Sequence, residues 1–221
     1  MKLPKNRRVL FIGDLHAPFT LPNYLSFCKR IYHKYGCNIV IFAGDILDNH
    51  YISFHDTDPD GHGGAQELEL AKEMIKEWYK AFPKALVCLG NHDVLPQRRA
   101  FNAGVTKAWV KKIGDILPTP GWVFSESFII DNVLYCHGMG RKGHSRMKAD
   151  LISVAQGHYH SDSAIIYLDG AFTHLFSLQV GCGFDRNSYA AAYGKNLKFQ
   201  AHNVGAILEN GTLPIIERMY V

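Results

Sequence analysis

The 221-residue chain is short of several things. No run approaches the ~18 apolar residues of a membrane span. The basic start, MKLPKNRR, leads into only five apolar residues before Asp14, too few for the core of a signal peptide. Five cysteines (28, 37, 88, 136 and 182) are an odd number with no CxxC spacing, which fits a reducing cytoplasm better than a disulfide framework. Buried free thiols in a reducing cytoplasm are the expectation. There is no internal repeat, low-complexity tract or linker, and one domain spanning residues 1–221 is expected. Net charge is only +4, which permits an anionic substrate without demonstrating nucleic-acid binding.

Histidine is what the chain has in excess, with twelve. Several of these lie where apolar runs stop. VLFIGDLH (9–16), IVIFAGDILD (39–48), ALVCLGNHD (85–93), VLYCHG (133–138) and SVAQGHYH (153–160) each read as a buried strand ending in Asp, Asn or His beside Gly. Residues two apart in an extended segment share a side, so Asp14 with His16, and His158 with His160, can each reach one ion.

Between these strands the pattern predicts helices over residues 21–35, 67–82 and 98–113. Residues 122–130 and 132–136 read as a hairpin turning at Asp131-Asn132, and Asn210-Gly211 marks a second one. Loop 49–66 is polar and long, a candidate substrate wall or lid. Asp56, Asp58, Asp60, Gly61 and Glu67 fit a calcium-loop spacing, but Pro59 interrupts it and Gly63 replaces its usual apolar residue. An acidic turn ahead of a helix is the expectation there. His50, His55 and His62 of this loop are expected to be solvated.

Asp14, His16, Asp45, Asn91, His137, His158 and His160 form a set of carboxylate, amide and imidazole donors without thiolate. Such donors suit Mn, Fe or Zn. Seven are too many for one tetrahedral ion, whereas two ions sharing a carboxylate fit the count. Two divalent ions ~3.5–4 Å apart would hold a bridging hydroxide and clamp phosphate oxygens. His92 would then protonate the leaving group, with Asp93 orienting it. Asp48 is expected to support its turn or a ligand histidine. In the cationic segment 141–148, Arg141, His144 and Arg146 are the candidate substrate contacts.

The ordered blocks GDLH, GDILD, GNHD, CHG and GHYH resemble the calcineurin-like metallophosphoesterases. The resemblance spans residues 13–160 and all five blocks of that family's pattern; the last 60 residues carry no matching motif. It implies one ion on Asp14, His16 and His160, another on Asn91, His137 and His158, Asp45 between them and His92 as the catalytic histidine. It also implies a four-layer α/β/β/α sandwich of two mixed sheets flanked by helices, with the site at the strand ends. The family's protein phosphatases carry Arg-Gly after the second block; Asn49-His50 stands here instead. The expectation is therefore a cytoplasmic phosphodiesterase acting on a nucleotide or nucleic acid, with Mn the expected metal. A phosphomonoesterase for a small metabolite or phosphopeptide is the alternative. A non-catalytic scaffold is the third reading, disfavoured because every block and His92 are intact.

Overall fold

A computed structural model describes residues 3–194 and 199–220. In chain order these residues form β1 (Val9–Ile12), α1 (Tyr24–Lys34), β2 (Ile39–Phe42), α2 (Gly64–Ala81), β3 (Ala85–Cys88), α3 (Leu95–Asn102), α4 (Ile113–Ile116), β4 (Trp122–Ser125), β5 (Ser127–Ile130), β6 (Val133–Cys136), α5 (Gly143–Asp150), β7 (Ser153–Gln156), β8 (Ala164–Gly170), β9 (Thr173–Gln179), β10 (Asn203–Leu208) and β11 (Leu213–Arg218). The strands make a six-stranded sheet in the order β11-β10-β1-β2-β3-β4 and a five-stranded sheet in the order β5-β6-β7-β9-β8. Both are mixed: β1, β2, β3 and β4 run parallel, as do β6, β7 and β9, while the remaining pairings are antiparallel.

The apolar runs are continuous because both faces of the strands are covered. In β1, Leu10 and Ile12 pack with Phe27 and Ile31 of α1 and with Ile75 and Trp78 of α2. Val9 and Phe11 face the other way, onto Tyr135, Ala155 and Leu178 of the second sheet. The outer face of that sheet is covered by α5, through Met147 against Cys136 and Val154. The layers are thus helix, sheet, sheet, helix.

Three expectations change. Helix α2 begins at Gly64 rather than Glu67, so Glu67 stands in its first turn. Its buried carboxylate accepts from the backbone N–H groups of His50 (2.8 Å) and Tyr51 (3.4 Å). The acidic turn is real: Asp58 Oδ1 accepts from Asp60 N at 2.9 Å. Residues 98–113 are not one helix: α3 stops at Asn102, Gly104 follows with φ +71°, and a short 3-10 turn precedes α4. The run 122–130 is not one strand either. It splits at Glu126, so β4 pairs with β3 in one sheet and β5 with β6 in the other. Asp131 and Asn132 do turn the β5–β6 hairpin, both with positive φ. Finally, the motif-free C-terminus is part of the frame, because β10 pairs along the full length of β1.

Candidate metal centre

The five blocks follow the C-terminal ends of β1, β2, β3, β6 and β7, the edge at which parallel sheets place ligands. Chain geometry there is tight. His16, Asp45, Asn49 and His158 all have positive φ, at a cost on the order of 1 kcal/mol each. Two glycines are required by close approach. A Cβ on Gly90 would lie 2.1 Å from Asp45 Oδ1, and one on Gly157 would lie 2.3 Å from Asp14 Oδ1. The two sheets meet at this edge, where Asp14 bridges to Cys182 and Gly183 N donates to Asp14 O at 2.8 Å.

The structure brings the seven predicted ligand residues into two adjoining groups. In the first, Asp14, His16 and His160 converge: His160 Nε2 is 3.1 Å from both Asp14 Oδ2 and His16 Nε2. In the second, Asp45, His137 and His158 converge: His137 Nε2 is 3.0 Å from His158 Nδ1 and 3.2 Å from Asp45 Oδ2. Asn91 Oδ1 joins this group, 2.9 Å from His137 Nε2. Asp45 Oδ2 also lies 3.8 Å from His16 Nε2, so one carboxylate oxygen faces both groups.

Hydrogen bonding fixes which ring nitrogens are free. His16 Nδ1 faces Asp48 Oδ1 at 2.6 Å, and His137 Nδ1 faces the carbonyl of Ala43 at 3.1 Å. Both partners only accept, so both Nδ1 atoms carry protons and both Nε2 atoms point into the cluster. Asp14 Oδ1 is buried with no hydrogen-bond partner among the described residues. Imidazole nitrogens turned toward one another, with carboxylate and amide oxygens between them, are a donor set that fits divalent cations.

Charges in the cluster are strongly coupled. Burial pulls His137 down, but Asp45 and Asp14 outweigh it and hold the imidazole up at about 9. Burial works against ionised Asp45, yet His137 and His92 keep it well below the usual carboxylate range. Burial lowers His16 despite Asp48.

Asp93 does not orient His92. Its carboxylate accepts from the backbone N–H groups of Ile46 (2.9 Å), Leu47 (3.1 Å) and Gly90 (3.0 Å), tying the second block to the third. Burial and the neighbouring Asp45 push Asp93 up to about 7. Asp48 does the orienting instead. Its carbonyl accepts from His92 Nδ1 at 2.5 Å while its carboxylate holds His16. Asp48, His16 and His92 also come close enough to suggest a third cation site, but Asp48 Oδ1 is already engaged by the His16 Nδ1 proton. Burial lowers His92, but Asp45 and Asp48 outweigh it and raise this imidazole above its ordinary value.

The three proposed substrate contacts separate. Arg146 lines a cavity of about 420 Å³ together with Asn91 and His137, and its Nε is buried without a partner among the described residues. His144 lines a different cavity, with Asp162 and Gln179, because two residues along α5 turn it roughly 200° from Arg146. Arg141 is exposed, and its carbonyl accepts from Gln156 Nε2 at 3.1 Å. His50, expected in solvent, is buried between Phe19 and Tyr189, with Nε2 accepting from Asp58 N at 3.1 Å. Sequence reasoning also missed Cys182 as a neighbour of the cluster; its carbonyl faces His202 Nδ1 at 3.0 Å, and Phe184 two residues on packs on the His16 ring. No motif announces that segment, because it reaches the site through sheet pairing alone.

The chain matches the model of the calcineurin-like phosphoesterase family over residues 7–204 and belongs to that family. No curated protein sequence matches it. Among solved structures it is similar to Vacuolar Protein Sorting 29 from Cryptosporidium parvum, at 14% identity with 98% of this chain and 99% of that one covered and a TM-score of 0.47. It is similar to the phosphoesterase Yfce from E. coli, at 14% identity, 96% and 100% coverage and a TM-score of 0.44. It is also similar to the nuclease MPE from Pseudomonas putida, at 16% identity, 95% and 87% coverage and a TM-score of 0.40. Among the described residues no helix is long and apolar enough to cross a membrane.

Proposed function

We propose that the chain, folded as one domain, is a metal-dependent phosphodiesterase acting on nucleotide or nucleic-acid substrates. The observation that carries this reading is Asp45 Oδ2, which faces His137 Nε2 at 3.2 Å and His16 Nε2 at 3.8 Å between the two ligand groups. Asp14, His16 and His160 would hold one ion, and Asn91, His137 and His158 the other, with Asp45 shared and Mn²⁺ the working metal. When bound, the ions supply an activated water and neutralise phosphoryl charge.

The protein's own groups do the rest. His92 donates its Nδ1 proton to the Asp48 carbonyl, which leaves Nε2 as the exchangeable position. The raised affinity of this imidazole for protons suits a donor to the leaving oxygen near neutral pH. Among the described residues Arg146 is the one Lys or Arg lining the cavity that Asn91 and His137 share. Asn49, at the position that follows the second block, is neutral, and its Nδ2 is spent on His92 O at 2.8 Å. The five cysteines, all buried and unpaired, support a cytoplasmic setting.

The test compares hydrolysis of bis(4-nitrophenyl) phosphate and 4-nitrophenyl phosphate in Mn²⁺, with His92→Ala as control. The diester is expected to turn over faster, with a loss of roughly 10²–10⁴-fold in the variant. Faster monoester cleavage would make the protein a phosphomonoesterase. Metal binding without turnover of either ester would return the scaffold reading.

A further inference from the structure

The cavity beside Arg146 has a larger neighbour. About 740 Å³ of space opens against α3, lined by Phe54, Val94, Arg98, Phe101, Lys112 and Phe124 among others. Leu89, Val94 and Glu126 line both cavities, so the second adjoins the one that holds Asn91, His137 and Arg146. Asp93, whose carboxylate ties the Asp45 turn, also lines it. Its size falls in the range of about 300–1,000 Å³ that suits small organic ligands.

Its chemistry is aromatic and cationic together. Phe101, which lines the cavity from α3, is 70% exposed. Arg98 and Arg99 lie over the Phe54 ring, at 4.9 and 4.1 Å from its centroid. Arg99 is anchored by donating to the carbonyls of Ile52 and Ser53, so this ledge is held in place. Arg98, Lys107 and Lys112 line the cavity against Asp115 and Glu126, while the Asp93 carboxylate is turned to backbone amides. None of the three cations takes part in an ion pair among the described residues. A π-face for stacking and unpaired cations for a backbone phosphate are what a nucleotide presents partners for.

We infer that this second cavity receives the nucleobase next to the phosphate being cleaved, with Phe101 as its stacking platform and Arg98, Lys107 and Lys112 facing the adjoining phosphate. The assignment rests on the phosphoesterase reading, which makes the Arg146 cavity the phosphate end. Stacking tolerates any base, so the selectivity is for nucleotides over base-free phosphate esters.

The test is calorimetric binding of thymidine 5′-monophosphate and of ribose 5-phosphate to the full chain in Mn²⁺. The nucleotide is expected to bind about tenfold more tightly, the size of one base stacking on an aromatic ring. Phe101→Ala should remove most of that difference and leave both ribose 5-phosphate binding and the melting temperature, measured on the same samples, unchanged, since Phe101 is 70% exposed. Lys112→Ala should leave thymidine 5′-monophosphate unchanged and weaken thymidine 3′,5′-bisphosphate, which adds the adjoining phosphate, severalfold. Equal binding of the two ligands, or an equal loss of both in Phe101→Ala, would overturn the inference. Base selectivity in a protein that hydrolyses no diester would uphold the cavity and sink the phosphodiesterase reading. Diester hydrolysis without base selectivity would do the reverse.

Discussion

Asp48 Oδ1 stands 2.6 Å from Nδ1 of His16, and the carbonyl of the same aspartate accepts from Nδ1 of His92. One residue therefore sets the tautomer of a metal-group histidine and of the proposed proton donor. Asp48→Asn keeps an acceptor but removes its charge. Metal affinity is expected to fall roughly 10–100-fold, the usual effect of losing such a partner. Titration with Mn²⁺ by calorimetry measures it; an unchanged dissociation constant would show that His16 is oriented by packing alone.

Gly90→Ala tests the close approach between the second and third blocks. The added Cβ would lie 2.1 Å from Asp45 Oδ1, so the shared carboxylate must move. The expected result is a folded protein, by circular dichroism, that retains fewer metal equivalents after dialysis. Wild-type metal content would mean that the Gly90 backbone yields instead.

Glu67 gives a pH dependence. Burial and the charge of Asp48 push its carboxyl from 4.5 up to about 7. Between those values the folded chain binds more protons at this group than the unfolded chain does. Its contribution to stability therefore grows as pH falls from about 7 toward 4.5 and is lost above 7. Glu67→Gln keeps a side-chain acceptor for His50 N without a charge. It should flatten this slope and raise stability at pH 8 by on the order of 1–3 kcal/mol. Urea unfolding at pH 5.5 and 8 reads both effects; an equal change at the two pH values would rule out the buried charge as the cause.

Met147 is fully buried and plugs α5 onto Cys136 and Val154. Met147→Ala should destabilise the protein by roughly 2–5 kcal/mol. Because α5 also carries Arg146, the Km for a diester should rise with it. Thermal melts and steady-state kinetics on the same preparation test the pair of effects.

The blocks were legible because each ends an apolar run, and a run buried on both faces leaves its polar residues only at the ends. That Asp48 would support a ligand histidine was legible; that it, and not Asp93, also holds His92 was not. Both are acids at the close of a block, and which oxygen meets which amide depends on the positive-φ turns at Asp45 and Asn49. The crossing at Glu126 was hidden for a different reason. Residues 122–130 contain no Gly, Pro, Asn or Asp, and only pairing, with β3 before Glu126 and with β6 after it, divides them. The His50 environment was equally unreadable, since Phe19 and Tyr189 come from distant parts of the chain.

Each ligand group draws from both sheets. Asp14 and His16 follow β1 while His160 follows β7; Asp45 follows β2 while His137 and His158 follow β6 and β7. The centre is therefore a clasp across a seam. Any sliding of one sheet over the other opens both halves of it together, and filling it fastens the seam. Cutting the chain at Glu126 would leave neither piece with a complete group, and the C-terminal piece would carry β10, the strand that borders β1. The two fragments would be expected to find each other more tightly when manganese is present than when it is chelated.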